Sequence, residues 1–277
     1  MKVHILGKGP ISIRLASTIA PNFDVAVYSE ITPLKFEKVA IKPYHDLKVS
    51  SINNDDVVLV AWRKIPVESS VKMHVLESLS SKLVETNLLV NLSSISVYGV
   101  TDSIADESSP ASPINLYGCQ KLELENFFDS NFMSKILHLR ISNVFGDVFF
   151  EDVVNRLVMS IKHEKIIELM EPSLHFRDYI SIETLVKLII EMINNRAALN
   201  KVNFFNVSSG RSISILILLQ LIEDIFQIRI NFRIAPNDNS VIGKSFVSNA
   251  KIKNFLQIEL EDELVLLKEY LKSRALN

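Results

Sequence analysis

Tyr117 and Lys121 place a phenol and an ammonium four residues apart in the run Tyr117-Gly118-Cys119-Gln120-Lys121. That spacing puts both groups on one face of a helix. The chemistry open to such a pair is proton transfer, because a nearby cation stabilises phenolate and draws a phenol pKa of about 10 toward neutrality. The phenol then exchanges a proton with a substrate hydroxyl or carbonyl, and the lysine is also suited to hold a nicotinamide ribose. Tyr44 and Lys48 share the spacing but follow Pro43 with no long helix after them, whereas Tyr117 opens an amphipathic run. Ser94 lies 23 residues before Tyr117, at the end of the apolar stretch that closes in Asn91-Leu92-Ser93-Ser94. A hydroxyl there polarises a reacting oxygen; Ser94 is the expected group and Ser93 its rival.

A second constellation stands near the amino terminus. Gly7-Lys8-Gly9-Pro10-Ile11-Ser12 reads as a Gly-x-Gly turn between a strand and a helix running through Leu15, Ala16 and Ile19. Such a turn lets backbone approach a pyrophosphate, and the helix end supplies N–H groups and positive dipole. Gly7, Gly9, Pro10 and Ile11 are the expected contacts; Ser12 stands where the usual pattern has a third glycine. The next strand runs into Ser29 and Glu30 rather than ending in a clear acid. Ser29 with Lys35 or Lys38 would bind a 2′-phosphate, and Glu30 would reach a ribose diol, so NADP and NAD both remain open.

The elements that must position these groups are apolar runs at Val3–Leu6, Val25–Tyr28, Val57–Ala61, Leu88–Leu92 and Ile136–Ile141. Amphipathic segments at 67–84 and 114–128 separate the later ones, the pattern of parallel strands with crossover helices. The expected fold is α/β, a Rossmann-type doubly wound parallel sheet with a smaller, interleaved C-terminal α/β lobe. Residues 1–145 form the dinucleotide-binding domain, with a return segment at 178–210, and residues 146–277 the substrate-binding lobe. Helices are expected at 153–162, 182–193, 213–225 and 260–273, and short strands at 204–207 and 228–234.

Composition narrows the partners. Lys and Arg total 30 against 32 Asp and Glu, a balance that argues against a nucleic-acid partner or a polybasic membrane patch. The most apolar stretch, Ile213–Ile225, is interrupted by Ser214, Gln220, Glu223 and Asp224 and is too short to span a bilayer. The single cysteine, Cys119, excludes an intrachain disulfide and fits a reducing, cytoplasmic setting. The start of the chain has no secretory-signal pattern. Histidine and cysteine spacing suggests no metal site.

These residues resemble the extended short-chain dehydrogenase/reductases, the NAD-dependent epimerase/dehydratase family that modifies nucleotide sugars. Leu92-Ser93-Ser94-Ile95-Ser96-Val97-Tyr98-Gly99 is similar to the family's serine-rich strand end closing in Val-Tyr-Gly, and the resemblance makes Ser94 catalytic. Tyr117 and Lys121 match its Tyr-x-x-x-Lys pair. Leu139-Arg140-Ile141-Ser142-Asn143-Val144-Phe145-Gly146, Arg177-Asp178-Tyr179-Ile180 and Phe205-Asn206-Val207-Ser208-Ser209-Gly210 resemble three further segments, in family order. The resemblance implies a homodimer through the Tyr117 helix and a nucleotide-sugar substrate bound by Ser94, Ser96, Asn143 and Arg177. It also implies cofactor contacts at Asp46, beside Leu47, and at Ala61; His175, two residues before Arg177, reads as a surface histidine, with contact to a substrate phosphate as the alternative. Family dehydratases carry Asp-Glu just after the catalytic hydroxyl, where this chain has Ile95 and Ser96, which argues against dehydration. The expected reaction is reduction of a 4-keto-sugar by hydride transfer, with a 4-epimerase that retains NAD as the alternative and a non-catalytic cofactor sensor or scaffold as the second.

Overall fold

The computed structural model describes residues 1–30, 35–36, 39–65, 70–101, 103–146, 152–163, 166–170, 176–235 and 245–276. Its strands are β1 (Lys2–Leu6), β2 (Asp24–Ser29), β3 (Lys35–Phe36), β4 (Val39–Pro43), β5 (Val57–Val60), β6 (Leu88–Ser94) and β7 (Lys135–Ile141). Six more follow: β8 (Asn143–Phe145), β9 (Ile167–Met170), β10 (Phe176–Ser181), β11 (Val202–Val207), β12 (Ser212–Ser214) and β13 (Phe232–Ala235). The helices are α1 (Pro10–Ile19), α2 (Ser70–Lys82), α3 (Leu116–Asn131), α4 (Val153–Lys162), α5 (Ile182–Asn194), α6 (Ile215–Phe226), α7 (Ala250–Leu256) and α8 (Glu263–Ala275). Among the described residues no helix is long and apolar enough to cross a membrane.

The chain divides into two compact units. The first contains residues 1–94, 119–140 and 186–205. It is built on a sheet of order β11-β7-β6-β5-β1-β2-β4-β3, in which β1 pairs parallel with β2 and β5, β5 with β6, and β2 with β4. Every residue of β5 is buried, as a parallel strand covered on both faces requires. Removing each such Val or Leu side chain from water contributes roughly 1.5–3 kcal/mol. Register carries the site: Leu6 pairs with Tyr28 and Val60, and Val60 with Asn91. The residues that follow, Gly7, Ser29, Ala61 and Leu92–Ser94, therefore come to one carboxyl edge, where open α/β sheets bind ligands.

The second unit contains residues 95–118, 141–185 and 206–277. In it β10 pairs antiparallel with β12 and parallel with β8, and β13 pairs parallel with β9. Phe145, Leu157, Leu218, Ile222, Leu267 and Leu271 belong to its core. Side-chain caps start three of its helices, with Asp152, Ser214 and Asp262 accepting from the N–H groups of Asn155, Ile217 and Leu264.

Two segments fall differently from the expected division at 145. Residues 95–118 join the second unit, because beyond Ser94 the chain leaves the sheet and Ala105 instead exchanges backbone hydrogen bonds with Phe246 and Ser248, each 2.8 Å. Of the return segment 178–210, only 186–205 joins the first unit; β10 is held by β8 and β12.

Candidate active site

At the sheet edge the backbone N–H of Gly7 donates to the carbonyl of Tyr28 at 2.9 Å. Gly7 has φ +113°, a conformation L side chains rarely adopt, and a Cβ there would meet the Ala61 carbonyl at 3.2 Å. Gly9 caps α1 without a side-chain hydrogen bond, and a Cβ on it would find nothing within 4 Å. The first turn of α1 carries Pro10 and no acidic residue. Open space beside uncapped N–H groups at a helix start fits the pyrophosphate of a dinucleotide. Ser12 is fully buried, and its hydroxyl has no hydrogen-bond partner among the described residues.

Beyond β2, Ser29 is buried and Glu30 pairs with Lys72 at 2.9 Å. The Lys72 ammonium lies 6.0 Å from the ring centre of Tyr44 and 5.8 Å from that of Trp62, and the Trp62 indole N–H donates to the Tyr44 hydroxyl at 2.7 Å. An acid and a cation thus stand together where a ribose diol or a 2′-phosphate would be read. The side chains of Lys35 and Lys38 lie outside the described residues. Asp46 ends the short turn Tyr44–Asp46 that directly follows β4, whose last residue Pro43 pairs with Ser29; it lines a depression with Tyr28, Lys42, His4 and Asp24.

Lys121 is buried, and its ammonium donates to the carbonyls of Trp62 at 2.8 Å and Leu92 at 2.6 Å. It is thereby seated on the ends of two strands. Burial draws its pKa down to about 8, against the pull of Glu125, and Arg63 lowers it further. Tyr117 stands one turn earlier on α3 and is 37 % exposed. The residue between them explains the helix start: a Cβ on Gly118 would lie 2.5 Å from the Ser96 carbonyl and 2.8 Å from Pro113, and the Gly118 N–H is received by the Asn115 side chain at 2.8 Å.

Ser93 and Ser94 alternate along β6, so they face opposite sides of the sheet. The Ser93 hydroxyl donates to Glu125 at 2.5 Å. Ser93 therefore has a structural role, which leaves Ser94, at the strand end, as the candidate for chemistry.

In the second unit Asn143 donates to the backbone carbonyl of Asp178 at 2.9 Å, and Arg177 to that of Phe176 at 3.0 Å. Burial lowers the Arg177 pKa from its ordinary value. Asp178 receives the backbone N–H and hydroxyl of Ser209, both at 2.8 Å, and the N–H of Arg211 at 3.1 Å. Ser96 follows Ile95 in the short turn Ile95–Tyr98. The hydroxyl of Tyr98 donates to Asn206 at 2.8 Å, joining two segments named for their family resemblance. His175 lies outside the described residues. Among the described residues no group of three or more His, Cys, Asp or Glu side chains is placed to hold a metal.

A family model described as the NAD dependent epimerase/dehydratase family matches residues 65–208. The chain belongs to this family.

Solved structures agree on the fold. A UDP-N-acetylglucosamine 4-epimerase from Methanobrevibacter ruminantium M1, in complex with UDP-N-acetylmuramic acid, superposes with a TM-score of 0.79 at 17% identity, covering 99% of this chain and 96% of that one. A UDP-glucuronic acid 4-epimerase from Bacillus cereus, in complex with UDP-glucuronic acid and NAD, gives 0.78 at 18% identity, covering 99% of each chain. A dTDP-glucose 4,6-dehydratase from Bacillus anthracis str. Ames, in complex with NAD, gives 0.79 at 13% identity, covering 100% and 96%. A search of curated protein sequences returned no significant match.

Several site residues of this epimerase/dehydratase-family chain escape the sequence. Trp62, whose carbonyl receives Lys121, sits beside the expected strand end at Ala61 and carries no motif signal. Glu125 was legible only as the next i+4 step after Tyr117 and Lys121, and Lys72 had no signal at all.

Proposed function

We propose that this chain is an NAD(P)-dependent oxidoreductase that reduces the 4-keto group of a nucleotide sugar, with Ser94, Tyr117 and Lys121 as its catalytic set. The observation that carries this reading is the seating of the Lys121 ammonium on the Trp62 and Leu92 carbonyls one helical turn after Tyr117. A nicotinamide cofactor held at the glycine turn would supply the hydride for the carbonyl carbon. Tyr117 gives its phenolic proton to the oxygen, Lys121 stabilises the phenolate left behind, and Ser94 donates a hydrogen bond to the same oxygen.

Gly7, Gly9, Pro10 and Ile11 hold the pyrophosphate in this reading, with Ser29, Asp46 and Ala61 beside the nucleosides and Ser96, Asn143 and Arg177 on the nucleotide sugar. Neither Ile95 nor Ser96 carries a carboxyl group, so no dehydration step is assigned. A homodimer through α3 accompanies the reading.

A 4-epimerase that retains NAD is the second reading. It is favoured by Glu30, an acid at the end of β2 placed to receive a ribose diol, just as Lys72 beside it favours a 2′-phosphate. Titration calorimetry with NADH and NADPH, after an ultraviolet spectrum of the purified protein, separates the two. NADPH binding together with keto-sugar-dependent loss of its absorbance supports the reductase. Stoichiometric retained NAD with interconversion of two epimers and no added cofactor replaces it with the epimerase, and binding of neither cofactor overturns both.

A further inference from the structure

One face of α3 carries Tyr117, Lys121, Glu125 and Asp129 at successive i+4 positions. An unbroken polar stripe facing a sheet is costly unless each group is met. From Lys121 onward each is. Glu125 is almost fully buried; one carboxylate oxygen receives the Ser93 hydroxyl at 2.5 Å and the Arg140 Nε–H at 3.1 Å, and the other receives an Arg140 Nη–H at 2.8 Å. One turn further, Asp129 meets His138 at 2.9 Å, and the opposite ring nitrogen of His138 meets the Asn91 amide at 2.9 Å. The Phe204 ring stacks on His138, with centroids 4.8 Å apart, and lies 4.7 Å from the Arg140 guanidinium. Two rungs result, built from alternate residues of β6 (Asn91, Ser93) and β7 (His138, Arg140) against i+4 residues of α3.

The upper rung is adjacent to Lys121. Among the described residues, Glu125 favours the charged form of the Lys121 ammonium and Arg63 opposes it. Its ammonium donates to the neutral carbonyls of Trp62 and Leu92. Ser93 follows Leu92 directly, so the hydroxyl clamping Glu125 and the carbonyl receiving Lys121 belong to consecutive residues of β6.

We propose that Glu125 is the positioning residue for Lys121: clamped by Ser93 and Arg140, its buried carboxylate keeps the ammonium charged and in register with the strand end. This rests on the reading of Lys121 as a catalytic group, but its first test needs no turnover. The Lys121 ammonium can be titrated by NMR of Cε-labelled lysine, with Lys121→Arg used for assignment. In Glu125→Gln the midpoint falls by about one pH unit, a tenfold change in protonation, and in Glu125→Asp it returns toward the wild-type value. Where Glu125→Gln alone leaves Arg140 unpaired and the protein unfolded, Glu125→Gln/Arg140→Met removes both charges and still lowers the midpoint. An unchanged midpoint in the folded variant overturns the proposal and reduces Glu125 to a packing role. The pH profile of hydride transfer tests the functional reading separately: a moved midpoint without turnover in the wild type sinks that reading and leaves this one standing.

Discussion

Glu125 in the first unit and Asp178 in the second are both buried carboxylates, and they are satisfied by different means. Glu125 meets a full guanidinium charge on Arg140 as well as the Ser93 hydroxyl. Asp178 meets dipoles, the N–H groups of Ser209 and Arg211 and one hydroxyl. Burial raises the Asp178 pKa to about 6 in spite of those donors. Neutral hydrogen bonds offset only part of the desolvation of a charge. The first arrangement lets a carboxylate act electrostatically on a neighbouring lysine; the second closes the turn at 209–211 and fixes the segment that carries Arg177.

With the proposed catalytic set on the α3 stripe and Asp178 as a structural carboxylate, that contrast can be broken at four points. The largest effect is expected from Tyr117→Phe, which removes the proposed proton donor: turnover falls by roughly 10²–10⁴-fold, while calorimetry shows cofactor affinity unchanged. If activity survives, the stripe does not carry the chemistry.

Next comes Arg140→Met, which leaves Glu125 buried without its cation. Denaturant unfolding should show a loss of about 3–5 kcal/mol. A loss under about 1 kcal/mol would mean that the ion pair has no more weight than an exposed one. Asp178→Asn should cost less, about 1–3 kcal/mol, because one amide oxygen replaces two carboxylate oxygens while the charge to be buried disappears.

The smallest effect, and the sharpest contrast, is in pH. Asp178 has a folded-state pKa raised from 3.8 to about 6, so its contribution to stability is full below 3.8 and is lost as pH rises to about 6. Glu263, also raised by burial, acts in the same direction in the same unit. His4 in the first unit is the reverse case. Burial holds its imidazole below the ordinary 6.5, so its contribution is present above 6.5 and is lost as pH falls below it. Amide exchange measured segment by segment from pH 7 to 5 should therefore show protection falling around β1 and rising around β10. His4→Gln should flatten the first trend and Asp178→Asn the second; parallel trends in both regions would refute the assignment.

Legibility in the sequence followed the range of the interactions involved. Helix α4 was expected at 153–162 and occurs there, and β1, β2, β5, β6 and β7 lie within two residues of their apolar runs. Their burial patterns are written in consecutive side chains. The strands β3, β4, β8, β9, β10 and β12 were not anticipated; three residues such as Ser212–Ser214 become a strand only because β10 pairs with them. Of the candidate site, the Tyr117 and Lys121 spacing and the glycine turn were legible because each is a local motif.

By itself, then, the sequence determined the parallel-sheet class, the motif residues and the near-neutral charge balance, since each is set by neighbours within a few turns of chain. Tertiary structure alone paired Glu30 with Lys72 and placed Glu125 beside Ser93 and Arg140. Those partners are 32 and 15 residues from Glu125 along the chain. Hydrogen-bond partners so distant are set by strand register and helix packing, which no local spacing encodes.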